Sequence, residues 1–292
     1  MNQNAPKVFV GLPVYNDVKH ISRALESLIN QTYSNLTIYI SDNCSSDGTS
    51  EICQSYAAKD HRIKYHKNDE NFRAAENYKR TLTIGTSGSC DYFMYARSEA
   101  ILSPNLIKEM VNVLEDDPKA ALAFPRTVWI DENSKTLLNR PVGFYDTSGY
   151  DVFARVALLL WTRPFQIYGL FRTQFVKSFS QRKWWQSMGF DYVFLFELAL
   201  KGCFCHVENA KWYRRYKYLG ETYKNRLNRY RKNVLKNPDL LDSLFPSIKM
   251  PYYCFKAVKN SKLKFADKLQ CSIIIFFTAP LRYMVSKGKQ IE

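Results

Sequence analysis

An arginine and a glutamate stand close together in the segment YFMYARSEAILSPN, which covers residues 92–105. The segment opens as an apolar run, breaks at Arg97 and Glu99, and restarts at Ser103 and Pro104, where the sequence predicts a helix start. A guanidinium binds phosphate oxygens through paired N–H groups, and a carboxylate accepts hydrogen bonds or binds a cation. These two residue types at the end of a predicted strand indicate a site for a charged ligand.

Two further carboxylates occupy positions that suit chemistry. Asp42 ends the apolar run LTIYISD, and from the end of a strand it can accept hydrogen bonds from a base and from sugar hydroxyls. Asp191 stands at the start of the apolar segment GFDYVFLFELALKG, and an ionised carboxylate there can act as a general base. Each has a structural alternative, because Asp42 can cap the turn around Ser45 and Asp191 can cap its own helix.

Alternating strands and helices must position these residues. Apolar runs at 7–12, 36–42, 62–66, 90–96 and 119–124 predict five strands, and segments of helical spacing lie between them. Asp17 is the predicted N-cap of the first helix, and Ser103 and Pro104 are predicted to open the fourth. The alternation predicts an α/β fold with a mostly parallel sheet and helices on both faces.

Composition and missing motifs exclude several classes. The chain has 292 residues, of which 46% are hydrophobic, so it is long enough to bury one large core or two modest ones. Neither G-x-G-x-x-G nor G-x-x-x-x-G-K-[ST] occurs, which argues against dinucleotide oxidoreductases and P-loop enzymes. The N-terminal segment has no leader pattern and no apolar run reaches about 18 residues, so the expected compartment is the cytoplasm.

Cys203 and Cys205 are interpreted as alternate residues of a strand, with metal binding as the alternative.

The formal charge of +15 predicts an affinity for polyanions. Lysine, arginine and tyrosine alternate after residue 200, but no RNA-binding signature accompanies them, so nucleic-acid binding is the weaker hypothesis and no nucleic acid is expected as a partner. The segment LQCSIIIFFTAPLRYMVSKGK, which contains Phe276 and Phe277, is predicted to lie on an anionic membrane with its lysines at the headgroups. The alternative is a helix that packs against the core.

Several motifs in order resemble those of family 2 nucleotide-sugar glycosyltransferases. They are VFVGLPVYNDVKHISRALESLINQTYSNLTIYISDNCSSDGTSEIC, NDENFRAAENYKR, YFMYARSEAILSPNLI, GFDYVFLFELALKG and WYRRYKY, and together they span residues 7–218. The resemblance implies a GT-A fold, a Rossmann-like, mostly parallel sheet flanked by helices, here followed by a basic helical C-terminal extension. It implies a domain over residues 1–215, with a nucleotide-binding half at 1–125 and an acceptor half at 126–215, and an extension over 216–292.

The resemblance also implies roles for individual residues. Pro13, Tyr15 and Asn16 are expected to line the nucleotide pocket, Asp42 to hydrogen-bond the base and ribose, and Asp191 to act as the general base. The implied reaction is an inverting transfer of a single sugar from a nucleotide sugar, UDP-linked, to a hydroxyl of a glycan or lipid-linked saccharide. Such a role belongs to bacterial-type surface polysaccharide synthesis and places the protein at the inner face of the membrane.

The acidic metal-binding pair of the family is altered in this sequence. Glu99 takes the first position and Ala100 takes the second, and alanine cannot bind Mg²⁺ or Mn²⁺. Tyr216 and Lys217 occupy the place of a second metal ligand, a histidine in the family. No metal is therefore firmly expected, and cations are predicted to bind the diphosphate instead: Arg97, Arg214, Arg215, Lys217 and Arg73, the last at a position where the family often has glycine.

Two alternatives stay open at this point. Glu99 with water molecules could still hold a metal ion, since Mg²⁺ keeps several waters. The substitutions could also mark a non-catalytic relative that acts as a binding or scaffold subunit.

Overall fold

One sheet of eight strands forms the centre of the computed structural model, which describes residues 5–138, 145–162, 165–187, 189–216, 223–234 and 249–288. The strands are β1 (Val8–Val14), β2 (Leu36–Asp42), β3 (Ile63–Lys67), β4 (Tyr92–Tyr95), β5 (Ile101–Leu102), β6 (Ala120–Ile130), β7 (Leu170–Arg172) and β8 (Cys203–Arg215). Their order across the sheet is β3-β2-β1-β4-β7-β6-β8-β5.

The predicted parallel arrangement is confirmed for the first four strands. β1 runs parallel to β2 and to β4, and β2 runs parallel to β3. β7 is antiparallel to both β4 and β6, β8 is parallel to β6, and β5 is antiparallel to β8. The second half of the sheet is therefore mixed, and β6 extends past the predicted 119–124 because the strand continues through a register shift at Pro125.

Helices cover both faces of the sheet. They are α1 (Ile21–Ile29), α2 (Thr49–Lys59), α3 (Arg73–Ser87), α4 (Leu106–Asp116), α5 (Val152–Trp161), α6 (Thr173–Val176), α7 (Phe190–Ala199), α8 (Tyr223–Val234), α9 (Lys249–Asn260) and α10 (Phe265–Gly288). Alternate residues of β4 enter different cores, since Tyr92 and Met94 pack with α1, α2 and α4. Phe93 and Tyr95 pack with α3, α5 and α7.

Both predicted helix starts are wrong by a few residues. α1 begins at Ile21 with His20 in the cap position, and the Asp17 carboxylate binds other side chains instead of capping. α4 begins at Leu106 with Asn105 in the cap position. Ser103 stays extended because its N–H donates to the Lys211 carbonyl, which continues the pairing of β5 with β8.

The C-terminal helices α9 and α10 share the core that lies on the α7 side of the sheet. Cys254 and Val258 of α9 and Cys271 and Ile275 of α10 are fully or almost fully buried there. The core-packing alternative is thus correct for the inner face of α10. Over the described residues, no helix combines the length and the apolar character needed to cross a bilayer.

Candidate functional site

Strained backbone marks the edge of the sheet where β1, β2 and β3 end. In the loops after β1 and β2, Asn16 has φ of 46° and Cys44 of 67°, and Arg73, the first residue of α3 after β3, has φ of 66°. A left-handed conformation costs an ordinary L-residue about 1–2 kcal/mol, and such residues cluster at functional sites. The angle at Arg73 also gives a physical reason for the glycine that the family often has there. We take this edge as the candidate nucleotide-binding site.

The loop after β1 is tied to the loop after β2. The Asn16 N–H donates to Ser45 Oγ at 3.0 Å, and Asn16 Oδ1 accepts from the Ser46 N–H at 3.0 Å. Tyr15 is 48% exposed beside them, whereas Pro13 is buried in β1. The structure therefore brings the three predicted residues to the same edge of the sheet. Tyr15 and Asn16 are exposed there, and Pro13 is buried within β1.

Asp42 is fully buried, and both of its oxygens are engaged within the chain. Oδ1 accepts from the Ser45 N–H at 3.0 Å, and Oδ2 accepts from Ser50 Oγ at 2.6 Å and from the Tyr65 hydroxyl at 2.9 Å. These bonds are those of the turn-capping alternative. A direct contact with a nucleotide stays a prediction, and it requires the fully buried carboxylate to become accessible.

Arg97 and Glu99 form an ion pair just beyond β4. One Arg97 nitrogen contacts Glu99 Oε1, and the other donates to the Tyr168 hydroxyl at 3.0 Å. Burial lowers the pKa of Arg97, but Glu99 together with Tyr168 and Tyr78 outweighs that effect and holds the pKa above its usual range. Arg97 is therefore cationic, and the adjacent Ala100 is completely buried.

Arg214 on β8 faces the same cluster. Its guanidinium carbon lies 4.8 Å from the Trp129 ring centroid and 4.6 Å from that of Phe165. Burial, and then the nearby Arg97 charge, lower the pKa of Arg214 to about 10. Its Nη1 atom is buried and has no hydrogen-bond partner. Two neighbouring guanidiniums with one unsatisfied donor are the arrangement that an anion relieves.

Arg215 serves a different part of the fold. It is 4% exposed, one of its terminal nitrogens donates to the Asp131 carbonyl, and the other donates to Ser134 Oγ at 3.1 Å. Because successive strand residues point to opposite faces, Arg215 turns away from the side that Arg214 faces and fixes the turn after β6. Lys217 lies outside the described residues, while the Tyr216 ring packs edge-on against Trp129.

Asp191 is the second residue of α7 and is half-buried. Gly189, with φ of 79°, takes the cap position, while Asp191 Oδ1 accepts from the Tyr192 N–H at 3.0 Å in the first turn, so its carboxylate stabilises the start of its own helix. The neighbouring Phe190 ring lies 6.2 Å from that of Tyr78, whose hydroxyl is 3.3 Å from the Tyr168 hydroxyl. One layer of aromatic side chains thus connects the start of α7 to Arg97.

A polar network that sequence reasoning missed joins three loops around the site. Ser98 Oγ donates to Asp17 Oδ2 at 2.5 Å, and His20 Nδ1 lies 2.7 Å from Asp17 Oδ1. His20 Nε2 lies 3.1 Å from Glu132 Oε2, in the turn after β6. The spacing of Asp17 and His20 was the only local signal, and the contact with Glu132 depends on the tertiary fold.

The residues beyond β4 fit a divalent metal poorly. Glu99 is engaged with Arg97, and Ala100 supplies no ligand atom. Within the described residues, the cluster with metal-ligand side chains is Asp117, Cys203 and Cys205, whose ligand atoms lie within 4.8 Å of one another. It lies where β6 and β8 begin, the opposite edge of the sheet. Burial raises the pKa of both thiols, that of Cys203 to about 12, which agrees with buried strand cysteines.

Comparison with known proteins decides the family. The sequence model of the family described as glycosyl transferase family 2 matches residues 9–181, which is more than half of the chain. The chain belongs to glycosyl transferase family 2. It is 31% identical to EpsE of Bacillus subtilis over 113 residues, 38% of this chain and 40% of EpsE. It is 41% identical to the glycosyltransferase GlyA of Streptococcus pneumoniae over 59 residues, 20% of this chain and 8% of GlyA. The aligned segments thus span less than half of these relatives.

Solved structures confirm the GT-A fold of this family 2 member. S. aureus TarS, residues 1–349 in complex with UDP-GlcNAc, matches with a TM-score of 0.68 at 14% identity, covering 93% of this chain and 72% of that one. The mannosyltransferase PcManGT from Pyrobaculum calidifontis, in complex with GDP-Man and Mn²⁺, matches with a TM-score of 0.57 at 12% identity, covering 98% of this chain and 89% of that one.

Proposed function

We propose that this family 2 member transfers a single sugar from a nucleotide sugar, UDP-linked, to a hydroxyl of a glycan or lipid-linked saccharide. Family membership supports glycosyl transfer, and the nucleotide sugars in the TarS and PcManGT complexes support the class of donor. Surface polysaccharide synthesis at the inner face of a membrane is the setting in which such an acceptor is met. The division into halves at 1–125 and 126–215 and an extension at 216–292 belongs to the same proposal.

The donor nucleotide binds, in this proposal, at the strained edge formed by the loops after β1, β2 and β3. Tyr15 offers an exposed ring to the base, and Asn16 and Asp42 shape the wall behind it. Asp191 acts as the general base, which removes a proton from the acceptor hydroxyl as the oxygen attacks the anomeric carbon. Attack from the side opposite to the leaving diphosphate inverts the configuration at that carbon.

Arginine side chains take the place of a metal ion at the diphosphate. The departing nucleoside diphosphate gains negative charge, which fixed cationic donors stabilise. The observation that carries this step is the buried Nη1 of Arg214, which has no partner and lies close to the cationic Arg97. Arg73 adds a third positive charge at the same edge, and its strained backbone is the cost of placing a side chain there.

A binding subunit without catalysis is the second candidate. Ala100 at the metal position and the full burial of Asp42, which hydrogen-bonds its own chain, favour it. The two candidates differ in one respect that a titration resolves, because a transferase binds its donor and a scaffold need not do so.

The test is calorimetric titration with UDP, UDP-sugars and GDP-sugars, each with Mn²⁺ and with EDTA. We expect UDP-sugar binding in EDTA, weakened about 10–150-fold in Arg214→Met, since a hydrogen bond to a charged group contributes about 1.5–3 kcal/mol. Arg126→Met is the matched control, because this arginine pairs with Glu208 on the surface of β6 and β8 and its loss should leave affinity unchanged. Binding only with Mn²⁺ would refute the arginine hypothesis, and binding in neither buffer would favour the non-catalytic subunit.

A further inference from the structure

The outward face of α10 is apolar. Between residues 265 and 278 the exposed residues are Phe265, Ala266, Leu269, Gln270, Ile273, Phe276 and Phe277. Gln270 is the one polar side chain among them. Phe265 is 81% exposed and Phe276 is 66% exposed, so whole aromatic rings meet water.

The opposite face of α10 is buried in the protein. Cys271, Ile275 and Thr278 are at most 3% exposed and pack in the core that also holds α5 and α7. A helix on the surface of a globular protein usually carries charged and polar residues on its outer side. Between residues 265 and 278, α10 instead carries apolar residues on both sides, and a contiguous exposed apolar patch marks an interaction surface.

Lysines are concentrated beside the start of this face. Residues 249–278 contain six lysines and a single acidic residue, Asp267. Lys256, Lys259, Lys262 and Lys264 are exposed at the end of α9 and in the connection to α10, and we call these four the basic collar. Lys256 and Lys262 also line a cleft of about 600 Å³ together with Arg182, Lys183 and Lys201.

The charge of the collar decides between occupants of the apolar face. A second copy of the chain would bring its own collar to the first and place like charges together, which is unfavourable. An anionic bilayer supplies an apolar layer for the phenylalanines and phosphate groups for the lysines. Because the inner side of α10 is buried in the protein, only its outward side can meet such a bilayer, with the helix lying along the surface.

We infer that the outward face of α10 inserts into the headgroup boundary of an anionic lipid bilayer, with the basic collar on the lipid phosphates. The inference rests on the proposed function only in its choice of a membrane-borne acceptor. Binding to vesicles is measured without donor or acceptor, so its failure leaves the transferase proposal untouched. Conversely, loss of donor binding leaves the docking surface in place.

The experiment is sedimentation of the full chain with phosphatidylcholine vesicles that do or do not contain phosphatidylglycerol. Wild type should bind the anionic vesicles at low salt, and binding should weaken at high salt. Phe276→Ser with Phe277→Ser should reduce affinity at least tenfold, and Lys262→Gln with Lys264→Gln should reduce it about fivefold for each lysine. Leu138→Ser is the matched control, since this side chain is as exposed as Phe265 but lies outside α10.

Two results would overturn the inference. The first is vesicle binding that the phenylalanine substitutions leave unchanged in a protein whose circular dichroism and UDP titration match those of wild type. The second is a dimer in light scattering that becomes monomeric in the same variant, because a second copy would then cover the face. A monomeric wild type whose vesicle binding falls in both the phenylalanine and the lysine variants supports the bilayer.

Discussion

Arg73 offers the sharpest test of the strained edge, because two substitutions separate its backbone from its charge. Arg73→Ala removes the guanidinium but keeps a Cβ atom at φ of 66°. Arg73→Gly removes the guanidinium and also the steric conflict of the left-handed conformation. The two variants therefore differ in backbone strain and share the loss of the cation.

The expected difference follows from two opposing quantities. The left-handed conformation costs an L-residue about 1–2 kcal/mol, whereas glycine loses about 0.4–1 kcal/mol through the greater freedom of its unfolded chain. Taking the midpoint of each range, Arg73→Gly should exceed Arg73→Ala in free energy of unfolding by about 0.8 kcal/mol. For a chain of this size that corresponds to a melting temperature higher by about 1–4 °C.

Urea unfolding followed by circular dichroism measures the stability difference, and calorimetric titration with UDP measures the role of the charge. We expect both variants to bind UDP more weakly than wild type and by similar factors, because each lacks the cation. Equal stability of the two variants would refute the argument from backbone strain. Wild-type affinity in both variants would remove Arg73 from the diphosphate site.

Three further outcomes are expected. Asp191→Asn should lower kcat by about 10²–10⁴ without changing donor affinity, measured by transfer of a labelled sugar to acceptor; retained kcat would exclude Asp191 as the base. Hydrogen bonds from Arg62 hold the pKa of Asp60 below its usual range, so their stabilisation is present above pH of about 4 and is lost as the pH falls through the lower pKa of the folded state. Asp60→Asn should therefore flatten the dependence of unfolding free energy on pH in that acid range, as measured by urea unfolding. His20→Ala should cost about 1–3 kcal/mol in the same assay, because the buried Asp17 carboxylate loses a partner.

The sequence predicted the parallel half of the sheet because the signal for it is local. Each of β1 to β4 alternates or concentrates apolar residues over a few positions, and turn residues bound each run. β5 gave no such signal, since it is a strand of only two residues that forms by pairing with Trp212 and Tyr213. That pairing also delayed the start of α4, which the cap signal at Ser103 placed too early.

In the candidate site, too, the sequence predicted what has a local signal and missed what depends on tertiary contacts. The end of β4 predicted a site at Arg97 and Glu99, and the structure pairs these two side chains. The sequence could not predict that Arg214 and Arg215, which are adjacent, contact different parts of the protein. Their contacts depend on which face of β8 each side chain occupies. The contact of His20 with Glu132 likewise joins residues that the chain separates by more than a hundred positions.

The shared core of α7 and α10 has a geometric consequence. α7 carries Asp191 at its start, and α10 buries Cys271 and Ile275 among the residues that pack on α7. Close-packed cores resist deformation, so the two helices keep a fixed spacing and orientation. A surface bound to α10 would therefore be held at a constant height from Asp191. An acceptor anchored in that surface could react only if its glycan were long enough to cover the height, and the fold itself would then select acceptors by length.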